Sequence, residues 1–402
     1  MILIYQIRII IEFFLDIVCT IEFILFSILL ILLYHVILYS TRDRKHISTL
    51  KKFDDVSNIK IENLKNIPLI NIIVPAWNEG EIFKRCLSSI TNLTYPNLKV
   101  IVNAGGNEET IQIAESFQKY NNFIIINQKE GGGKIKALND AIKFVNEGII
   151  CLLDADIFLT NENVINMLTP ILKLNEDIVI SELRPHKSQI QRSLVRYLFI
   201  NRNIRFREGF RRYYQGFSQL TFLKLEVYKN IGKFTEKRLI GDGQSMGMDT
   251  SSKGYKSYKV KSNIAQSFNF PGDIRAYFNQ NIRWLENYYS LKFKNSKKMV
   301  FYFVLMVLIS IYLVIFPILI IVNLSLFIVG ILILLYKYLK FIRKVIFFNK
   351  TENKQYFGKN RFSFFIKCLF YIYIDSLMNI YMVFEFILFG KKKFKQRKNI
   401  EY

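Results

Sequence analysis

Apolar residues gather at the two ends of the chain, while short apolar runs alternate with amphipathic stretches through the middle. Residues 17–39 carry only Glu22 and His35 as ionisable groups. At about 20 residues such a run is long enough to cross a bilayer as a helix. Glu12 and Asp16 precede it, and Arg42, Arg44 and Lys45 follow. A cleaved signal peptide would instead show a basic start and a small-residue cleavage site, so the pattern predicts a retained anchor within residues 1–45. Residues 299–339 are apolar for about forty positions, too long for one span. Pro317 and residues 323–325 offer a place to turn, and a helical hairpin over 299–340 is expected. A third run, 362–390, carries Lys367, Asp375, Asn379 and Glu385. At the helical period these fall within roughly 120° of one another, a polar stripe suited to a bundle interior, a wet channel or an interfacial helix.

Basic residues set the expected orientation. Positions 42–52 and 337–361 are rich in Lys and Arg, which places both on the cytoplasmic side and residues 45–298 in the cytosol. Residues 341–361 then read as a basic cytosolic loop and 391–402 as a basic tail. If the third segment crosses, that tail lies on the side where positive charge is disfavoured.

The middle of the chain has the period of an α/β unit. Runs at 71–74, 100–102, 124–126 and 149–153 are short, apolar and closed by polar or glycine residues. Helix-like stretches at 81–90, 109–120 and 135–145 separate them. This alternation predicts a mostly parallel sheet over residues 66–270, with ligands at the carboxyl ends of its strands.

Composition narrows the class of protein. The chain has 402 residues, 51% hydrophobic and 15% aromatic, which excludes a disordered one. Cys19, Cys86, Cys151 and Cys368 show no CxxC spacing, so no disulfide framework is expected. Three histidines are too few for a multi-histidine metal site. A formal net charge of +24 favours anionic partners such as lipid headgroups or phosphorylated substrates. The arginines between Arg192 and Arg212 alternate with aromatics, a mixture that serves nucleic acid, lipid headgroups or a solvated face. On a tethered domain headgroup contact is the more economical reading, and no nucleic-acid partner is expected.

Four clusters carry candidate chemistry. Asp154-Ala155-Asp156 closes the run 149–153, where two carboxylates can hold Mg²⁺ or Mn²⁺ together with substrate phosphates, or form a solvated turn. Gly131-Gly132-Gly133-Lys134 precedes a helix, as in a phosphate cradle or a flexible turn, but Ile135 stands where a Walker loop has Ser or Thr. Asp242, in an apolar-to-glycine transition, is either a proton acceptor or a turn residue. Gln280, Arg283 and Trp284 share one helical face. They suit a diphosphate and a sugar ring, or else an interfacial Trp with a snorkelling Arg.

In this order the motifs resemble the membrane-embedded family 2 glycosyltransferases, which include cellulose, hyaluronan and poly-N-acetylglucosamine synthases. The resemblance spans residues 68–298. Pro75-Ala76-Trp77-Asn78-Glu79 matches the family's Pro-x-x-Asn-Glu turn at the nucleotide pocket, and Gly133-Lys134 with Ala137-Leu138-Asn139 matches its Gly-Lys…Ala-Leu-Asn. Asp154 and Asp156 match the DxD, and Gln280-Asn281-Ile282-Arg283-Trp284 matches Gln-x-x-Arg-Trp, a signature of processive synthases. Two departures stand out: the second strand ends Asn103-Ala104-Gly105-Gly106 where the family has Asp-Asp-Gly-Ser, and Gly241 replaces an acidic residue before the base.

The resemblance implies a GT-A-like nucleotide-sugar-binding domain at 66–270, interfacial helices at 271–298 and flanking transmembrane helices. It implies an inverting hexosyl- or N-acetylhexosaminyltransferase of the cell membrane, its catalytic domain cytosolic. Asp242 would be the base. Asp156 and Asp154 would hold Mg²⁺ or Mn²⁺. Pro75, Asn78, Glu79, Asn103, Lys134, Asp154 and Arg283 would bind a nucleotide-sugar donor, a UDP-sugar first among them. Gln280 and Trp284 would meet the acceptor, a growing polysaccharide or, alternatively, a polyprenyl-phosphate or glycolipid taking a single sugar.

Overall fold

The computed structural model describes residues 2–18, 20–53, 59–60, 62, 66–130, 132–186, 188–202, 211–212, 216–236, 242–268, 270–281, 297–351 and 361–400. The chain divides into a helical unit (Met1–Lys52, Gln191–Arg207, Pro271–Gly390) and an α/β unit (Phe53–Ile190, Glu208–Phe270, Lys391–Tyr402).

The helical unit begins with α1 (Ile2–Val18) and α2 (Ile21–Leu38). The anchor expected from residue 17 starts at Ile21 instead, because Thr20 caps a new helix: its hydroxyl accepts from the Phe23 N–H at 3.3 Å. Glu12 and Asp16 therefore belong to a separate helix. A single π-helical turn, Tyr39–Asp43, links α2 to α3 (Arg44–Phe53). The Ser40 and Thr41 hydroxyls donate to the Ile37 carbonyl at 3.1 and 2.7 Å, competing with the backbone for that acceptor.

The α/β unit is built on strands β1 (Ile70–Trp77), β2 (Leu98–Gly105), β3 (Phe123–Asn127) and β4 (Ile149–Leu153), which pair in parallel. Helices α4 (Glu81–Thr91), α5 (Glu108–Glu115) and α6 (Gly133–Ile142) connect them. Next come β5 (Ile157–Phe158), α7 (Asn161–Leu174) and β6 (Ile178–Pro185). The chain then enters the helical unit as α8 (Ser193–Arg202) and returns as β7 (Arg211–Arg212), β8 (Leu220–Lys224), α9 (Leu225–Ile231), α10 (Asp242–Ser252) and β9 (Ser257–Ser267). The sheet order is β3-β2-β1-β4-β8-β6-β9-β5, with β7 paired to β9. β8 runs antiparallel to both β4 and β6, so the sheet is mostly but not wholly parallel.

Both faces of the sheet are covered, which is why its strands are continuous apolar runs rather than alternating ones. Ile70, Ile72 and Val74 pack with Phe83 and Leu87 of α4 and Val164 and Leu168 of α7. Ile73, Ile101, Ile150 and Leu152 pack on the opposite side with Ile135 and Leu138 of α6 and Met246 of α10. Burying each such side chain stabilises the fold by about 1.5–3 kcal/mol before chain entropy is counted. Asn71, fully buried in β1, donates to the Glu147 carbonyl at 2.8 Å.

The helical unit resumes with α11 (residues 274–281), then α12 (Lys297–Val322), α13 (Leu324–Thr351) and α14 (Arg361–Ile400). Four helices, at Ile21–Ser48, Phe301–Val322, Leu324–Lys350 and Phe362–Phe384, are long and apolar enough to cross a membrane. Pro317 lies inside α12, and the hairpin turns at Asn323, whose Oδ1 accepts from the Leu326 N–H at 3.0 Å. The expected loop at 341–361 is helix through Thr351. Its charges have partners there: Arg343 Nε lies 3.2 Å from Asp43 Oδ2, and Lys344 Nζ donates to Asn201 Oδ1 at 2.5 Å. The polar stripe of α14 divides as well. Lys367 is exposed, whereas Asp375 and Asn379 hold hydrogen bonds inside the unit, and the Glu385 side chain lies outside the described residues.

Candidate active site

Chain order reverses across the sheet between β1 and β4, because β2 and β3 extend one way from β1 and β4 the other. Loops leave such a switch point in opposite directions and open a crevice at the carboxyl strand ends. β1 pairs with β4 only as far as Ile73↔Leu152, while its pairing to β2 continues to Trp77↔Gly105. Pro75, half-buried, therefore lies beyond the β4 ladder, where a missing N–H costs no bond on that side.

Residues 78–80 leave β1 in a fixed turn. Asn78 has φ 53 and its N–H donates to the Gly105 carbonyl at 3.1 Å. Gly106, at φ +93, approaches closely: a Cβ there would lie 2.4 Å from Asn78 Oδ1 and 2.8 Å from Asn78 N. Thr110 Oγ1 accepts from the Glu79 N–H at 2.7 Å and lies 2.7 Å from the Glu79 carbonyl oxygen. Asn107, which caps α5 by accepting from the Thr110 N–H at 2.9 Å, completes the brace. Neither Asn107 nor Thr110 stood out in the sequence; the signal was an Asn three residues before a Thr at a helix start.

The loop after β4 carries the two aspartates. Asp154 is paired with Lys134, the second residue of α6. Asp156, 9% exposed, accepts through Oδ2 from the Ser267 hydroxyl at 3.2 Å. Its Oδ1 is buried and has no hydrogen-bond partner among the described residues. Ser267 also escaped sequence reading, since it sits over a hundred positions away at the end of β9.

Electrostatics gather the remaining groups around the same lysine. Burial draws the Lys134 ammonium down, but Asp154, Asp242 and Asp156 outweigh it and hold its pKa above the usual value. Burial, then Asp156 and Asp154, push the Glu79 carboxyl up to about 7. Burial and Asp154 push Asp156 up to about 6. Lys134 thus pairs with Asp154 and lies within electrostatic reach of Glu79, Asp156 and Asp242, in a chain whose net charge is strongly positive. The surplus of negative charge and the orphaned Asp156 oxygen fit a divalent cation with hard oxygen ligands. Among the described residues no three His, Cys, Asp or Glu side chains form a metal-ligand group.

Asp242 opens α10, and its neighbour Gly243 meets the 217 segment face to face. Phe217 N–H donates to the Gly243 carbonyl at 2.8 Å, and a Cβ on Gly243 would lie 2.3 Å from Phe217 O. Asn139 ties down the preceding segment. It donates to Phe234 O at 2.9 Å and accepts from Phe234 N–H at 3.1 Å and the Tyr228 hydroxyl at 3.0 Å. Thr235 in turn donates to Asp249 of α10 through its N–H and hydroxyl, at 2.8 and 2.9 Å.

Asn103, 2% exposed, donates through its amide nitrogen to the Ala137 carbonyl of α6 at 3.0 Å, and its Oδ1 is buried with no hydrogen-bond partner among the described residues. Gln280 lies in the helical unit, on α11, and Arg283 and Trp284 lie outside the described residues.

Residues 71–228 match the family model described as "Glycosyl transferase family 2". Glycosyltransferase AglE of Haloferax volcanii is 33% identical over 94 residues, 22% of this chain and 31% of that protein. Poly-beta-1,6-N-acetyl-D-glucosamine synthase of Staphylococcus epidermidis is 29% identical over 113 residues, 28% of this chain and 27% of the relative. Hyaluronan synthase of Pasteurella multocida is 31% identical over 116 residues, 29% of this chain and 12% of its own length. The matches thus span no more than about a third of these relatives' lengths. Among solved structures, the mannosyltransferase PcManGT from Pyrobaculum calidifontis, in complex with GDP-Man and Mn²⁺, superposes with a TM-score of 0.52 at 14% identity. It covers 89% of this chain and 97% of its own, a likeness of fold. The α/β unit is a GT-A fold accompanied by candidate membrane helices.

Proposed function

We propose that this chain, whose residues 71–228 match the family 2 glycosyltransferase model, is a transferase that moves a hexosyl or N-acetylhexosaminyl group from a nucleotide-sugar to a growing polysaccharide at the membrane. The observation that carries this reading is the convergence of Glu79, Asp154, Asp156 and Asp242 on Lys134 at the sheet's switch point. In this reading Asp242 accepts the proton of the attacking hydroxyl, and the anomeric carbon inverts as the nucleotide diphosphate leaves. Lys134 and Arg283 hold the diphosphate, and their positive charge favours the leaving group as it gains negative charge. Pro75, Asn78, Glu79 and Asn103 shape the nucleotide side. Asp156 and Asp154 would hold Mg²⁺ or Mn²⁺, which supplies Lewis-acid stabilisation to the departing phosphate. Gln280 and Trp284 serve the acceptor.

The donor class is supported by the acidic cluster around Lys134, the second residue of α6, and UDP-sugars are the first to test. The orientation, with the catalytic unit in the cytosol of a cell-membrane protein, rests on the basic residues at 42–52 and 337–361.

A second reading is single transfer to a polyprenyl-phosphate or glycolipid. It is favoured by the engagement of Asp375 and Asn379 with protein partners, which removes them as a polar lining for an exported chain.

Purified protein given a panel of nucleotide sugars with Mn²⁺ is expected to release nucleotide diphosphate with one or two of them. Asp242→Asn is expected to keep donor binding within about twofold and lose turnover by about 10²–10⁴-fold, the scale of general-base removal. Turnover within threefold of wild type would refute the base assignment. Long product on a gel supports the polysaccharide reading, and a single-sugar lipid product the second.

A further inference from the structure

Three helices of the membrane unit meet at one carboxylate. Asp375 lies inside the candidate span Phe362–Phe384 of α14. Its Oδ2 accepts from the Tyr197 hydroxyl of α8 at 2.5 Å, and its Oδ1 accepts from the Tyr277 hydroxyl of α11. Asn201, one turn beyond Tyr197, places Nδ2 3.5 Å from the same Oδ2. Lys344 of α13 donates to the Asn201 carbonyl and side-chain oxygens at 3.1 and 2.5 Å. Lys337, also on α13, lies within electrostatic reach of Asp375. Ser193 and Tyr371 add a second α8–α14 contact, hydroxyl to hydroxyl at 3.1 Å. Both phenols bonded to Asp375 are buried, Tyr197 at 1% and Tyr277 at 3% exposure. Burial and the adjacent carboxylate hold the Tyr197 phenol well above its usual pKa, so it remains a donor.

A carboxylate in a membrane span is costly, and where one persists it faces the bundle interior with defined partners. Asp375 gains both of its phenol donors from helices that are not spans. α8 and α11 flank the α/β unit in sequence, one before its last strands and one after them. Gln280 lies three residues along α11 from Tyr277.

We propose that Asp375 is a positioning residue: with Tyr197 and Tyr277 it latches α8 and α11 onto α14, and through α11 it sets the orientation of Gln280 and the acceptor side of the transfer reaction. The acceptor half of this inference rests on the reading of Gln280 given above; the latch itself does not. The two phenols donate to different oxygens of one carboxylate, so each can be removed without touching the other. Tyr277→Phe deletes one hydroxyl and keeps the ring. Asp375→Asn keeps an acceptor for one phenol only, because an amide has a single oxygen.

The test uses full-length protein in nanodiscs with a nitroxide attached at the exposed Arg275 position of α11. UDP-GlcNAc and Mn²⁺ serve as the donor probe, and labelled sugar in product is compared with free sugar released by hydrolysis. The expected result is an immobile label in the wild type, with increasing mobility in Tyr277→Phe, Asp375→Asn and Asp375→Leu. UDP-GlcNAc binding should stay within twofold, while the ratio of transfer to hydrolysis falls at least tenfold. If Asp375→Leu fails to fold, Tyr277→Phe alone decides. A label equally immobile in every variant overturns the latch. A mobile label with an unchanged transfer ratio overturns the positioning role. A wild type that neither binds nor turns over UDP-GlcNAc speaks against the donor reading, and label mobility still tests the latch.

Discussion

Thr110 holds Glu79 by its backbone: one hydroxyl oxygen lies 2.7 Å from both the N–H and the carbonyl oxygen of the glutamate. The two residues belong to different connections of the sheet, Glu79 following β1 and Thr110 lying in the helix that follows β2. The bond therefore fixes one loop of the switch-point crevice against the other, and it sets the carboxyl of Glu79 where Asp154, Asp156 and Lys134 act on it.

Thr110→Val removes that hydroxyl at nearly constant volume. Two backbone groups lose a buried partner, at about 1–3 kcal/mol for an unsatisfied donor or acceptor. Donor affinity is expected to weaken about 5- to 20-fold, measured by calorimetry with the nucleotide-sugar that the wild type turns over. Thr110→Ser should restore most of it. Equal loss in Thr110→Ser, which keeps the hydroxyl, would count against the hydroxyl as the group that holds the loop.

The raised carboxyls predict a pH-dependent stability with a definite sign. Glu79 goes from 4.5 to about 7, burial first and then Asp156 and Asp154. A group whose folded value lies above its unfolded one binds its proton more tightly in the fold, so stability declines as pH rises across that window. In chelator, Glu79→Gln should therefore match the wild type near pH 5 and exceed it near pH 8. The gain should be about 1 kcal/mol, after allowance for the partial exposure of this side chain. Thermal unfolding at the two pH values checks it, and a gain of equal size at both would count against ionisation of Glu79 as the cause.

Gly106 offers a backbone test of the same crevice. Its φ of +93 and the 2.4 Å approach of a Cβ to Asn78 Oδ1 leave no room for a side chain. Gly106→Ala is expected to cost about 1–3 kcal/mol in denaturant unfolding and to weaken donor binding with it. Gly232→Ala is a control: its φ is also positive, at +81, but an added Cβ meets nothing within 4 Å. Similar loss of donor binding in both would show that backbone strain, not the contact with Asn78, is responsible.

Much of the α/β unit is legible in the sequence because its signals are local. Apolar runs closed by Pro75, Asn103 and Asp154 mark strand ends, and the order of strands and helices predicts where a crevice opens. What the sequence hides is partnership. Arg343 and Lys344 read as part of a basic loop because isolated charges usually are solvated, yet Asp43 and Asn201 receive them within a continuous helix. The stripe holding Asp375 is open in the sequence between a bundle interior, a wet channel and an interfacial helix, since the tyrosines that bind it lie about a hundred and almost two hundred positions away. Asn103 reads as a ligand contact, and the sequence does not show that its amide nitrogen donates to the Ala137 carbonyl while its Oδ1 has no partner among the described residues. Periodicity identifies a face but not the group that meets it.

The pair between Arg343 and Asp43 makes a prediction about the membrane unit itself. Arg343 is 7% and Asp43 2% exposed, with Arg343 Nε 3.2 Å from Asp43 Oδ2. Arg343 Nη1 also lies 3.2 Å from His35 Nδ1. Asp43 ends the π-helical turn, so the irregular backbone and the buried ion pair occur at the same point of the anchor. Removing one member of such a pair leaves a buried charge without compensation, at about 3–5 kcal/mol, whereas replacing both by apolar residues is close to neutral. Arg343→Met and Asp43→Leu are each expected to lower the yield of folded protein in detergent and to lower its melting temperature. The double variant should recover most of both. A double variant that loses as much as the two single ones added together would mean that each residue is held by other partners and that the pair does not join the π-helical turn to α13.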